Sequence, residues 1–163
     1  MKLVVRSWIV ILFVNFLALS PAAVHAGMTP EEVKAFDGYK SLAEKGDRAA
    51  QTNLGNCYYK GNGVAKDHAQ AVSWWRKSAE QGHAHAQFML ALCYDGGHAG
   101  VEKNAIEAYA FYILGGSFDD LARTNLAILE KRMSRDEIAA GKKRVKDMQK
   151  EIDARTAAKA AGK

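Results

Sequence analysis

The sequence predicts an all-α fold, a short α-solenoid of stacked helix pairs closed by a final helix. Three observations carry this reading. Segments 50–61 and 86–97 share Ala50/Ala86, Gln51/Gln87, Leu54/Leu90, Cys57/Cys93, Tyr58/Tyr94 and Gly61/Gly97 at one fixed offset of 36 residues. After a one-residue insertion the offset becomes 37 and pairs Val64/Val101, Ala71/Ala108 and Trp75/Tyr112. The lattice also extends outward: Ala35, Tyr39, Ala43 and Gly46 precede Ala71, Trp75, Ala79 and Gly82 by 36, and Ala122 and Leu126 follow Ala86 and Leu90 by 36. A period of this length marks a helical repeat array, in which each unit buries its apolar face by stacking on its neighbours.

Residues 1–26 have the pattern of a secretory signal peptide. Lys2 and Arg6 form a basic start, Trp8 to Leu19 an apolar stretch, and Val24-His25-Ala26 a small-residue cleavage site with the cut expected after Ala26. The apolar stretch is shorter than the about 20 residues of a membrane span. The expected location is therefore periplasmic or secreted, with an uncleaved N-terminal anchor as the alternative. The rest, residues 27–146 plus a tail 147–163, suffices for one domain with a real core.

Thr29-Pro30-Glu31-Glu32 opens the first helix: Thr29 caps, Pro30 suits the first turn and Glu32 completes a capping box. Val33, Phe36, Tyr39 and Leu42 follow at helical spacing, and Gly46 ends the helix. Its phase is that of the second helix of a repeat, so residues 29–46 form half a unit. The first complete unit is 47–82. On its helix A, 47–60, residues Ala50, Leu54, Cys57 and Tyr58 share one arc at about 100° per residue, with Gln51 and Gly55 at the edge. Gly55, like Ala91 after it, lets the partner helix approach closely. Gly61-Asn62-Gly63-Val64 closes the helix with residues that accept positive φ. Asp67 caps helix B, whose core positions are Ala71, Trp74, Trp75, Ser78 and Ala79.

The second unit, 83–118, repeats the plan with Ile106, Ala108, Phe111 and Tyr112 on helix B and a longer loop, 96–101. A third helix A starts at Asp119 and carries Leu121, Ala122, Leu126 and Leu129. Ser134-Arg135-Asp136-Glu137 is a second capping box and opens the last helix, with Met133, Ile138, Val145, Met148 and Ile152 as its apolar positions. These elements make residues 119–146 a terminal helix A and cap. The tail 147–163 is expected to fray.

Charge follows this division. Residues 27–130 hold ten basic and thirteen acidic residues, and residues 131–163 hold eleven and five. The basic pI of about 9.2 comes from the tail, and nucleic acid is not an expected partner of an exported chain.

At this point a family comes into view. Leu54-Gly55-x-x-Tyr58-x-x-Gly61-x-Gly63-Val64-x-x-Asp67-x-x-x-Ala71-x-x-Trp74-Trp75-x-Lys77-x-Ala79-x-x-Gly82 resembles the Sel-one-like repeat (SLR), a relative of the tetratricopeptide repeat. The second unit departs from the pattern at Ala91, in its loop and at Gly115-Gly116. The stretch 132–138 resembles the terminal capping helix of bacterial members. The resemblance, over about 36–146, implies a right-handed superhelix of tetratricopeptide-like helix pairs that binds other proteins, commonly in the bacterial envelope, with no chemistry common to the family. Its cysteine-rich branch pairs cysteines on the two helices of one unit. Here Cys57 and Cys93 stand at equivalent positions on successive helices A, and positions related by the repeat translation do not face each other. Helix axes pack 8–10 Å apart, whereas a disulfide needs Cα atoms within about 7 Å. Both are expected as buried free thiols.

Chemistry has few candidates. His83-Ala84-His85 has a spacing found in metal sites, but His83 stands where Asp47 and Asp119 start their helices, and His68 and His98 lie on other loops. No metal, cofactor or catalytic residue is expected. Trp74-Trp75 could form a sugar platform, but the repeat phase assigns both rings to the core. Two functions follow: a non-enzymatic protein-interaction module of the bacterial cell envelope, and, as the alternative, a cell-wall-related or β-lactam hydrolase of the cysteine-rich SLR type. The first places binding of a peptide or partner protein on the solvent-facing arc of helices A, which line the concave groove in the SLR resemblance. That arc comprises Asn53, Asn56 and Lys60, then His85, Met89 and Leu92, then Asn125 and Ile128. Its rival is that the final helix folds across this face and covers Leu92 and Ile128. Membrane contact is expected only transiently, through the signal peptide.

Overall fold

A computed structural model describes residues 27–162, so the signal-peptide and cleavage expectations lie outside the described residues. Seven α-helices and no strands make up the described residues: α1 (Pro30–Glu44), α2 (Arg48–Lys60), α3 (His68–Ala79), α4 (Ala84–Gly96), α5 (Ala105–Leu114), α6 (Asp120–Glu130) and α7 (Arg135–Ala160), with a 3-10 turn (Gly115–Ser117) before α6. The architecture is the expected α-solenoid: α2/α3 and α4/α5 are the complete units, α1 a lone helix B and α6 a lone helix A. None of the described helices is long and apolar enough to cross a membrane.

Local chemistry sets the boundaries. The Thr29/Glu32 and Ser134/Glu137 capping boxes both form. Asp47, Asp67, Asn104 and Asp119 each accept a backbone N–H at their helix start. Gly61 (φ 82°) and Gly97 (φ 71°) end α2 and α4 in the left-handed region, as glycine readily does. Each loop is tied back by one backbone bond, Asp67 N–H to Tyr58 O (2.9 Å) and Asn104 N–H to Tyr94 O (3.0 Å).

Packing follows the lattice. Leu54, Leu90 and Trp75 are fully buried, with Tyr112 nearly so. Two glutamines staple helix A to the preceding helix B: Gln51 Nε2 donates to Ala43 O (3.1 Å) and Gln87 Nε2 to Ala79 O (3.2 Å). These bonds satisfy a buried amide and a helix-end carbonyl together. The close approach at Gly55 is required: a Cβ there would lie 2.6 Å from Trp75 Cδ1 and Nε1. Cys57 and Cys93 are buried free cysteines, as expected.

Two expectations need correction, and the rival to the groove reading falls with them. Leu42 and Leu121, grouped by helical spacing and repeat phase with residues that are buried, are themselves 51% and 55% exposed, because each sits on an end helix with no further described unit to pack against it. The tail does not fray at 147: α7 continues as helix to Ala160. It is held by Ile152 against Gly82, by the Arg155–Glu80 ion pair (2.9 Å) and by Lys159 Nζ donating to Gln81 Oε1 (3.4 Å). The final helix also does not cross the groove. It packs along α5, with Gly141 against the Tyr109 ring, and leaves Ile128 51% exposed.

Candidate functional site

The helix A face carries an open groove of about 550 Å³. Tyr59 of α2, Met89, Leu92 and Asp95 of α4, and Asn125 of α6 line it, with Trp75 and Tyr112 beneath and Arg132, Lys103 and His98 around it. Three of the eight residues expected to bind, Met89, Leu92 and Asn125, therefore meet in one cavity. The other five do not line it. Asn56 Oδ1 instead accepts the Trp75 indole N–H (3.1 Å), and His85 stacks on Phe118 with ring centroids 4.1 Å apart. Asn53 is half-buried, while Lys60 and Ile128 are exposed.

The polar side of the groove rests on Asp95, which the sequence reading missed. Arg132 donates to its Oδ1 (2.6 Å) and the Tyr112 hydroxyl to its Oδ2 (3.2 Å). Burial, and then the Asp95 charge, push the Tyr112 phenol well above its ordinary range, so it stays a donor. Asp95 lies 36 residues after Tyr59, so these two groove residues, which helical phase did not select, share one column of the array. The apolar floor thus ends at a neutralised ion pair with further N–H donors to offer.

Burial pushes the Cys93 thiol up to about 11, opposed by Arg76, so the groove holds no ready thiolate. Thr52, Ser78 and His83 do form a hydrogen-bonded cluster, unforeseen from sequence. Thr52 Oγ1 lies 2.7 Å from Ser78 Oγ and 2.8 Å from His83 Nδ1, and the Ser78 hydroxyl donates to Arg48 O (2.6 Å). Both hydroxyls are fully buried, and the cluster joins α2, α3 and the start of α4, with His83 half-buried at its edge. His83 occupies the N-cap position of α4 without capping it, because its ring is turned to Thr52. Burial, then the Arg48 charge, lower its pKa against an opposing Asp47. His85 is lowered by burial, then by His83 and Lys60. Among the described residues no group of three or more His, Cys, Asp or Glu could hold a metal ion. The two tryptophans do not form a platform. Trp75 is fully buried, while Trp74 packs on the α1/α2 cluster with the Lys77 ammonium 3.8 Å above its ring.

The Sel1 repeat family matches residues 48–83 and 84–116, which are the two complete units. This chain is a Sel1-like repeat protein. Two solved structures are similar to it. A protective antigen present in uropathogenic Escherichia coli strains, displaying an SLR fold, is 30% identical over 85% of this chain with a TM-score of 0.70. A Sel1 repeat protein from Oxalobacter formigenes is 36% identical over 59% of this chain with a TM-score of 0.55. The chain spans 30% and 40% of the lengths of those two proteins. No match is found among curated proteins. Sel1 repeat proteins are generally non-enzymatic modules that bind other proteins, and the hydrolase alternative has no support among these relatives.

Proposed function

We propose that this Sel1-like repeat protein is an exported interaction module of the bacterial envelope, periplasmic or secreted. It grips a peptide or a partner's loop in the groove formed by α2, α4 and α6. One observation carries the reading. An open groove of about 550 Å³ sets apolar Met89 and Leu92 beside Asn125 and the Asp95–Arg132 pair. An apolar floor with a few convergent polar groups is the usual make-up of a binding cleft. The amide of Asn125 supplies a donor and an acceptor suited to a peptide backbone. Export rests on the pattern of residues 1–26.

A photo-crosslinker placed at Met89 should trap a protein that the same probe at Ala139, on the far side of α7, does not trap. The double change Met89→Ala with Asn125→Ala, both lining the groove, should weaken that capture while helical circular dichroism is retained. Equal trapping at both positions, or capture abolished only by charge reversal at Lys142, Lys143 and Lys146, would move the contact from the groove to α7. N-terminal sequencing of the exported protein should begin at Gly27.

A further inference from the structure

Among the described residues the array begins with a helix B and ends with a helix A, and the outer faces of these two helices differ from every equivalent inside. Within a unit, helix A meets its own helix B through one column of residues. In α2 that column contains Thr52 and Gly55, both buried against Ser78 and Trp75. In α4 it contains Phe88 and Ala91, both buried. Their equivalents on α6 are Thr124 and Ala127, and both are exposed, as are Ile128 and Lys131 beside them. Helix α7 does not fill the place, since it packs along α5 rather than α6.

The opposite end mirrors this. Helix B meets its own helix A through Ala71, Trp75 and Ser78 on α3, and through Ala108, Tyr112 and Gly115 on α5, all six buried. Their equivalents on α1 are Ala35, Tyr39 and Leu42. Ala35 and Leu42 are exposed and Tyr39 is only half-buried. Among the described residues, one end therefore presents a helix A lacking its B, and the other a helix B lacking its A. We propose that these ends are complementary halves of one helix pair, and that α6 of one copy of the chain seats on α1 of a second copy.

The residue types fit. Gly55 on helix A packs against the Trp75 ring on helix B, and the equivalent positions of the second unit hold Ala91 and Tyr112, both buried. The unpaired ends carry the next members of the same series, Ala127 and Tyr39. One turn further, bulk alternates between the helices: Thr52 meets Ser78, and Phe88 lies over Gly115, whose Cβ would be 2.8 Å from the Phe88 backbone nitrogen. Thr124 opposite Leu42 keeps that exchange. The contact is head-to-tail, so it leaves a free end on each side and grows as an open series instead of closing as a symmetric dimer. A single helix pair is a small interface, and a Kd on the order of 0.1 mM is expected.

Sedimentation of the chain as cells produce it, its N-terminus fixed by mass spectrometry, tests this. The average mass should rise through dimer and larger species as concentration increases past about 0.1 mM. Leu42→Glu and Ala127→Glu should each be monomeric with unchanged helical circular dichroism, because both side chains are exposed. Mixed together, the two variants should form a 1:1 complex that grows no further, since each retains the end that the other has lost. Should either variant unfold, Ala35→Arg and Thr124→Arg address the same two ends. A chain monomeric at about 1 mM, a dimer unaffected by both variants, or a mixture that stays monomeric would each overturn the proposal.

Discussion

The two complete units share one lattice and solve the same contact with different atoms. In the first, Gly55 of α2 lies under the Trp75 indole, and the indole N–H is satisfied by Asn56. In the second, Ala91 takes the glycine's place, Tyr112 the tryptophan's, and the phenol donates to Asp95 one turn further along α4. The first unit joins its helices near their other ends through the Thr52–Ser78 hydroxyls; the second brings Phe88 against a bare Gly115 backbone. The repeat thus keeps which positions are buried between its helices while changing the side chains that fill them. A larger ring takes a smaller neighbour, and a polar ring atom takes whichever acceptor the column supplies.

The comparison breaks first at what the units hold in common. Leu54 and Leu90 are equivalent and fully buried, so Leu54→Ala and Leu90→Ala should each cost about 2–5 kcal/mol, read from chemical denaturation. Similar losses are expected, since neither site can collapse without moving a neighbouring helix. A short array has few units over which to spread the damage.

Where the units differ, the same edit should act unequally. Gly55→Ala writes the second unit's residue into the first and drives a Cβ to 2.6 Å from a fully buried indole. Overpacking of that kind costs about 1–3 kcal/mol, despite the gain in helix propensity. The reciprocal Ala91→Gly should cost about 1 kcal/mol, mostly through propensity. Gly55→Ala combined with Trp75→Tyr should recover part of the loss, and a lack of recovery would mean that the two positions are not coupled as a pair.

A third difference is sensitive to pH. His83 and His85 both have lowered pKa values in the fold, chiefly through burial, so the unfolded chain binds more protons than the native one as pH falls. The stability due to their neutral forms is complete above the unfolded value of about 6.5 and is lost as pH drops below it toward the folded values. Melting temperature should therefore fall between neutral and mildly acidic pH. Replacing His83 with Asn should flatten that slope without abolishing it, because His85 remains.

The ends of the array explain which of these features were legible in sequence. The lattice identified Leu54, Leu90, Trp75 and Tyr112 because an internal position has a neighbour on each side, so periodicity and burial coincide. Leu42 and Leu121 obey the same periodicity at the ends, where the neighbour is missing, and they are exposed. The helical character of the tail was hidden for a different reason. Arg155 and Ile152 are held by Glu80 and Gly82, some seventy residues away, and no local pattern announces that contact. In the groove, Met89, Leu92 and Asn125 came from helical phase combined with the SLR resemblance, which implies that helices A line the concave side. Asp95 did not, since its importance lies in Arg132 and the Tyr112 hydroxyl converging on it from two other parts of the chain.

The smallest expected effect concerns the one chemical identity that both units share. Cys57 and Cys93 occupy the same lattice position, both are free and buried, and burial raises the pKa of each, to about 11 for Cys93. At pH 8 a thiol with that pKa is ionised in about one molecule in a thousand, and only the thiolate attacks an alkylating reagent or a disulfide. Burial adds a second barrier, because the reagent reaches either sulfur only through local opening. The native exported protein, treated with iodoacetamide without reductant, should therefore gain almost no mass in minutes, whereas the unfolded protein should gain two labels. Cys57, opposed by Lys60 and slightly less buried than Cys93, should be the faster of the pair. An intact mass lower by two hydrogens would show that the thiols had paired. That outcome would require Cys57 and Cys93, which pack in two different apolar clusters, to come within disulfide reach of each other.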